Sequence, residues 1–296
     1  MKLLDSSIPM RLSLFSSAAL ELTARCNYRC PFCYCIWHEQ EEQPAEINSA
    51  EWKRIIDALA GAEVWQITFT GGEPLLKEGL EEILEYAAGC NRFKTISIYT
   101  NASRLSVPFL KQLKNWNINL NVSLQGLRTY GQSTGTRRTF PRTLNVMETA
   151  KELGLKVHAG LTATSINRLE YIDMVAASAL IGVDSITCVP FMVAGRGLIH
   201  PELALSVQEW NELKKQVSGH AFPCPVAFGD EMQCRCESED IPSCGAGRRH
   251  IAIDPAGYVR SCLHTKTILG HWSKRLAAPY ISELLSQYNN NGEVRS

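Results

Sequence analysis

Long apolar runs are missing from this 296-residue chain: none approaches the roughly 18 residues that a membrane-spanning helix needs, so no membrane partner is expected. Excess charge of either sign is missing as well. Thirty Lys and Arg balance thirty Asp and Glu, which leaves no electrostatic footprint for nucleic acid or an anionic membrane surface. A secretory signal is lacking, because Asp5 and Arg11 interrupt the only weakly apolar N-terminal stretch. A cytoplasmic location is therefore expected, where thiols stay reduced and disulfides do not form. The 45% hydrophobic content is enough for a large core, and the length fits one large domain with a smaller one.

Cysteine, by contrast, is plentiful. The eleven cysteines fall in two groups, at 26, 30, 33 and 35 and at 224, 234, 236, 244 and 262, with Cys90 and Cys188 alone and none beyond Cys262. The segment Cys26-Asn27-Tyr28-Arg29-Cys30-Pro31-Phe32-Cys33 puts three thiols at C-x3-C-x2-C spacing. A cubane 4Fe-4S cluster takes four thiolates, so three on a short loop hold three irons and leave one open. Two other readings of these residues stay open. A zinc knuckle would recruit Cys35 and His38, since zinc wants four tetrahedral ligands. A closed four-cysteine cluster using Cys35 would make the chain an electron carrier without turnover.

Between the cysteine groups, short apolar or β-branched runs alternate with amphipathic stretches, the pattern of βα units and a parallel sheet. Strands are expected near 18–24, 63–69, 94–100, 118–124, 155–163 and 184–190, and a helix from Ser49 to Ala60 buries Trp52, Ile55, Ile56 and Leu59. Further helical stripes cover 80–88, 107–113, 144–153, 169–180 and 206–217. In parallel α/β folds the loops after strand C-termini carry the chemistry. Thr70-Gly71-Gly72-Glu73-Pro74 ends the second strand, Tyr99-Thr100-Asn101 the third and Ser123-Leu124-Gln125-Gly126 the fourth. Taken singly, each also fits an ordinary turn.

Taken together, the three-cysteine loop with Phe32 before its last thiol, the Gly-Gly-Glu-Pro turn and these strand ends resemble the radical S-adenosylmethionine (SAM) superfamily. The resemblance implies an α/β fold, a partial (βα)6 TIM-like barrel with a small C-terminal hairpin-plus-helix domain. It implies that Cys26, Cys30 and Cys33 hold a 4Fe-4S cluster and that SAM binds to the open iron. Phe32, Tyr34, Gly71, Gly72, Glu73, Pro74, Thr100, Asn101, Ser123, Gln125 and Arg137 are the implied cofactor-binding residues. Two departures stand out: Ala102 replaces a family glycine, and Gln125 replaces a family carboxylate.

Near the end, twelve residues separate Cys244 from Gly257 and four separate Gly257 from Cys262. This resembles the opening of SPASM and twitch domains, and implies one auxiliary iron-sulfur cluster on Cys234, Cys236, Cys244 and Cys262, with Cys224 or His264 as substitutes and zinc as the alternative metal. The expected organisation is a lead-in over 1–17, a barrel over 18–218 and an auxiliary cluster domain over 219–296. Cys188 and Cys224 are candidate hydrogen-atom donors to a substrate radical, with Cys188 as a small buried hydrophobe the competing reading.

The implied chemistry is reductive cleavage of SAM to a 5′-deoxyadenosyl radical that abstracts a hydrogen atom. The expected substrate is a ribosomally made peptide, to be cross-linked or epimerised. The alternative is a twitch-type oxidoreductase or epimerase of a small molecule such as a sugar or antibiotic intermediate. Implied partners are a reductase, ferredoxin or flavodoxin-type electron donor and, since the first strand starts near residue 18, a separate leader-binding protein.

Overall fold

A computed structural model describes residues 16–35, 45–137, 140–229, 246, 249–265 and 268–274. Ten strands form one sheet in the order β10-β9-β8-β1-β2-β3-β4-β5-β6-β7. They are β1 (Ser17–Thr23), β2 (Gln66–Gly71), β3 (Thr95–Thr100), β4 (Asn119–Ser123), β5 (Val157–Ala163), β6 (Ser185–Pro190), β7 (Val226–Phe228), β8 (His250–Ile253), β9 (Tyr258–Arg260) and β10 (Ile268–His271). Strands β1 to β8 are parallel to their neighbours, while β9 and β10 turn back antiparallel. The sheet is open, as a partial barrel requires.

The six strands expected from the sequence are β1 to β6. Their inner and outer faces follow the period of two that a strand imposes. On β5, Val157, Ala159, Leu161 and Ala163 are buried while His158, Gly160 and Thr162 between them are only partly covered. The buried set faces the helices α1 (Ser49–Gly61), α2 (Leu80–Gly89), α3 (Val107–Asn115), α4 (Tyr130–Thr134), α5 (Phe140–Glu152), α6 (Tyr171–Leu180) and α7 (Val207–Ser218). Trp52, Ile55, Ile56 and Leu59 of α1 are all buried, as their spacing predicts, and each such side chain contributes on the order of 1.5 to 3 kcal/mol. The cap of α1 lies one residue earlier than its Ser-Ala-Glu-Trp opening suggests. Asn48 accepts from the Glu51 amide while Glu51 reaches back to the Asn48 amide, because a capping box needs the acid three residues on.

The stretch after residue 218 contributes to both ends of the sheet. β7 pairs with β6, and β8 pairs with β1, Ser17 opposite His250 through Leu20 opposite Ile253. The hairpin expected over 251–259 is β8 and β9, turning on Asp254 and Gly257. Among the described residues, no helix is long and apolar enough to cross a membrane.

Candidate active site

Because β1 to β6 run parallel, their C-terminal ends share one rim, and the loop of Cys26, Cys30 and Cys33 lies on it. Every neighbouring strand end ties this loop down. From β2, the Gly72 amide donates to the Thr23 carbonyl at 2.7 Å and the Glu73 amide to the Arg25 carbonyl at 2.8 Å. From β3, Asn101 donates to the Asn27 side chain at 3.0 Å, and Asn27 donates to Ser103 at 2.7 Å. The Arg29 amide reaches the Thr134 carbonyl of α4 at 3.0 Å. From the loop after β6, Arg196 donates to the Cys30 carbonyl at 3.1 Å. The late segment adds His264, whose ring meets Tyr34 edge-on at 4.9 Å.

Glycine is required at two of these contacts. A Cβ on Gly72 would stand 2.2 Å from the Arg25 carbonyl oxygen, and one on Gly195, which has φ of 54°, would stand 2.5 Å from the Tyr34 backbone. The Gly72→Ala variant is therefore expected to push the cysteine loop off β2, with a several-fold loss of iron bound on anaerobic reconstitution and little change in far-UV circular dichroism.

Glu73 is buried, and its carboxylate accepts from the Leu75 amide at 3.1 Å, the Thr100 hydroxyl at 2.6 Å and the Asn101 amide at 2.8 Å. The Thr100 hydroxyl also accepts from the Ala102 amide at 3.0 Å. Both side chains thus brace the ends of β2 and β3 against each other. Burial raises the Glu73 carboxyl, and these donors oppose the rise. Ala102 has φ of 58°, a left-handed position that explains why glycine suits it. Gln125 bridges to β5, accepting from the Thr162 amide at 3.1 Å, and Ser123 stands half-covered at the end of β4. Arg137 is exposed ahead of α5, and Phe32 packs with Phe191 and Leu203 in a small apolar cluster.

Two candidate hydrogen donors stand away from the rim. Cys188 is fully buried among the helix-facing residues, bonded to Tyr171 of α6, because it shares the parity of Ile186 rather than of Thr187. Cys224 precedes β7 at the opposite end of the strands, in a cavity of about 210 Å³ with Phe222 and Phe228. Cys262 is buried, with its sulfur 3.3 Å from His264 Nδ1. Cys234, Cys236 and Cys244, and the zinc-knuckle candidate His38, lie outside the described residues.

The donor set fits an iron-sulfur cluster. None of the three loop thiols forms a disulfide. Burial pushes Cys26 up to about 11 and Cys30 further, each thiol raises the others, and Arg196 pulls both down. Such thiols ionise on binding iron rather than in response to solvent. Among the described residues, no three ligand-type side chains are already gathered tightly enough to hold an ion by themselves.

Two residues with a clear structural part were not legible beforehand as such. Arg196 lies in the Ala-Gly-Arg-Gly stretch, where the flanking glycines were its signal. Glu170, just ahead of α6, accepts from the Leu127, Arg128 and Thr129 amides and from the Thr129 hydroxyl, and so shapes the loop after β4. Burial alone would raise its carboxyl, but those four bonds hold it below the usual carboxylate range. Its stabilising contribution is present above the ordinary carboxylate pKa and is lost as pH falls through the lower folded value. Glu170→Gln is expected to cost about 2 to 4 kcal/mol at pH 7 by urea unfolding, since it turns an acceptor toward four donors. The gap to wild type should shrink as the pH is lowered.

Comparison with known proteins completes the description of the site. The family profile described as the radical SAM superfamily matches residues 20–175, more than half of the chain. Among curated proteins, the chain is 26% identical over 253 residues to the antilisterial bacteriocin subtilosin biosynthesis protein AlbA of Bacillus subtilis, covering 83% of this chain and 54% of AlbA. It is 33% identical over 161 residues to a probable GTP 3′,8-cyclase of Methanopyrus kandleri, covering 52% of this chain and 50% of the cyclase. The fold is similar to that of Streptococcus suis SuiB bound to the precursor peptide SuiA, with TM-score 0.72 at 15% identity over 91% of this chain and 65% of SuiB. The chain thus spans between half and two thirds of the length of these relatives.

Proposed function

The chain belongs to the radical SAM superfamily, and from that premise we propose that it cleaves SAM reductively and uses the radical to modify a ribosomally made peptide. The observation that carries the reading is the cysteine loop fixed at the rim by four neighbouring strand ends and loops. Cys26, Cys30 and Cys33 would hold the 4Fe-4S cluster. When bound, cluster and SAM supply a 5′-deoxyadenosyl radical able to abstract hydrogen from an unactivated carbon.

The protein's own part is positioning and exclusion of water. Glu73 and Thr100 fix the rim on one side of the loop, and Gln125 with Glu170 fix it on the other. Gly71, Gly72 and Pro74 keep the turn after β2 close against the loop, leaving Asn101, Ser123 and Arg137 as the polar groups proposed to meet SAM. Tyr34 is buried between Thr70 and His264, shielding the loop from solvent. Cys262, with Cys234, Cys236 and Cys244, is proposed to hold one auxiliary cluster in the 219–296 region, and an external one-electron reductant of ferredoxin or flavodoxin type to serve the site.

Likeness to AlbA, and in fold to a SuiB complex with its precursor peptide, supports a peptide substrate. A small-molecule substrate is the second reading, favoured by likeness to the probable GTP cyclase. The test is anaerobic turnover of reconstituted protein with SAM, dithionite and the peptide encoded by a short reading frame beside the gene. The expected result is 5′-deoxyadenosine together with a mass change in the peptide. Formation of 5′-deoxyadenosine with the peptide unchanged would turn the assignment to a small molecule.

A further inference from the structure

Central strands of a parallel sheet are ordinarily covered on both faces. Here the outer face is sealed by helices, while the inner face is open even in mid-sheet. Tyr99 on β3 is 45% exposed, and Thr187 on β6 is exposed although β5 and β7 flank it. Tyr99, Asn121, His158 and Ser185 stand in one cross-strand row, each opposite the next, with the His158 ring 2.7 Å from the Ser185 hydroxyl.

Two properties of this face stand out. First, it is polar without charge. No Asp, Glu, Lys or Arg takes an inward position on β2 to β7. The one acid on the inner face of β1, Glu21, forms a buried ion pair with Arg260. Burial also lowers the His158 pKa, which favours its neutral form. Second, it has a gap. Gly160 sits mid-strand between Ser123 of β4 and Thr187 of β6. A Cβ there would meet nothing nearer than the Val122 carbonyl oxygen at 3.9 Å, and the residue's φ is not positive. Neither packing nor backbone requires glycine, which weakens a strand, so the space it leaves marks a close approach by another molecule.

We infer that this inner face is the substrate chamber, that the group it admits is uncharged, and that Gly160 keeps it open. The inference rests on the radical SAM reading of the rim and narrows it: a neutral peptide side chain fits the wall, whereas a nucleotide triphosphate finds no cation on it. Amide and hydroxyl groups of Asn121, Ser185 and Thr187 suit the backbone and polar side chains of a peptide.

The test places a cysteine in the chamber, Gly160→Cys, with Thr187→Cys as a second site on the same wall. The reconstituted holoenzyme is treated with neutral, anionic and cationic methanethiosulfonates, namely the methyl, sulfonatoethyl and trimethylammonioethyl reagents. Labelling of each new cysteine is followed by peptide mass spectrometry and normalised to free cysteine. All three reagents are expected to react within about threefold of one another, whereas one uncompensated wall charge would part anion from cation by about tenfold. Such a separation, or no labelling at either position, overturns the inference. Calorimetric titration of wild type with GTP is expected to show no saturable binding, and binding that Gly160→Val removes would also overturn it. Failure of the underlying reading would show separately, as wild-type protein that forms no 5′-deoxyadenosine, and would leave the labelling rates unchanged.

Discussion

Alanine at Cys26, Cys30 and Cys33 together is expected to abolish 5′-deoxyadenosine formation and to lower iron content by about four atoms per chain, one cubane's worth. The argument is one of ligand number. Each thiol supplies one bond, and the described rim offers no other cysteine in the same turn except Cys35, which is buried against Ala24. A variant chain that keeps about four irons would carry them on the late cysteines, and one that keeps none would leave those cysteines without a cluster. Circular dichroism should stay close to wild type, because the loop is held by Arg29, Glu73 and Asn27 rather than by the thiols.

Arg260→Met is expected to be the most damaging single change to stability. The Arg260 and Glu21 side chains are 1% and 0% exposed, and Arg260 also donates to the Thr265 carbonyl at 2.9 Å. Burial lowers the guanidinium to about 10, so it stays charged at neutral pH. Removing it leaves a buried carboxylate without its counter-ion, a loss of about 3 to 5 kcal/mol. The double change Glu21→Met/Arg260→Met should recover most of that, since neither charge then remains. Urea midpoints of the two variants decide the matter: equal destabilisation in both would mean that packing, not charge, is what Arg260 provides.

Much of this architecture is legible in the chain. Six parallel strands follow from runs such as Val157 to Ala163, where apolar and polar residues alternate, and α1 follows from Trp52, Ile55, Ile56 and Leu59. The cysteine loop is legible because metal ligation constrains spacing within eight residues. The rest depends on contacts distant in sequence. β7 and β8 are three and four residues long, and nothing local in them indicates that one pairs with β6 and the other with β1. Cys188 as a hydrogen donor turns on a single step of parity, which Ile186 already marked. Arg196 and Glu170 escaped notice because their partners are backbone atoms of remote loops, and backbone carries no residue signature.

The pairing of β8 with β1 has a consequence during synthesis. One edge of β1 can be covered by β2 soon after it leaves the ribosome, but the other waits for β8; the Ser16 to Arg249 contact that opens this pairing spans 233 residues. At ordinary translation speeds that wait is roughly 10 to 50 s. Throughout it the nascent chain presents an unpaired, largely apolar strand edge directly beside its cysteine loop, the kind of edge that invites aggregation. Chaperone demand and the timing of iron loading are thus linked in this protein, and a ribosome stalled before residue 250 would release a product with both problems at once.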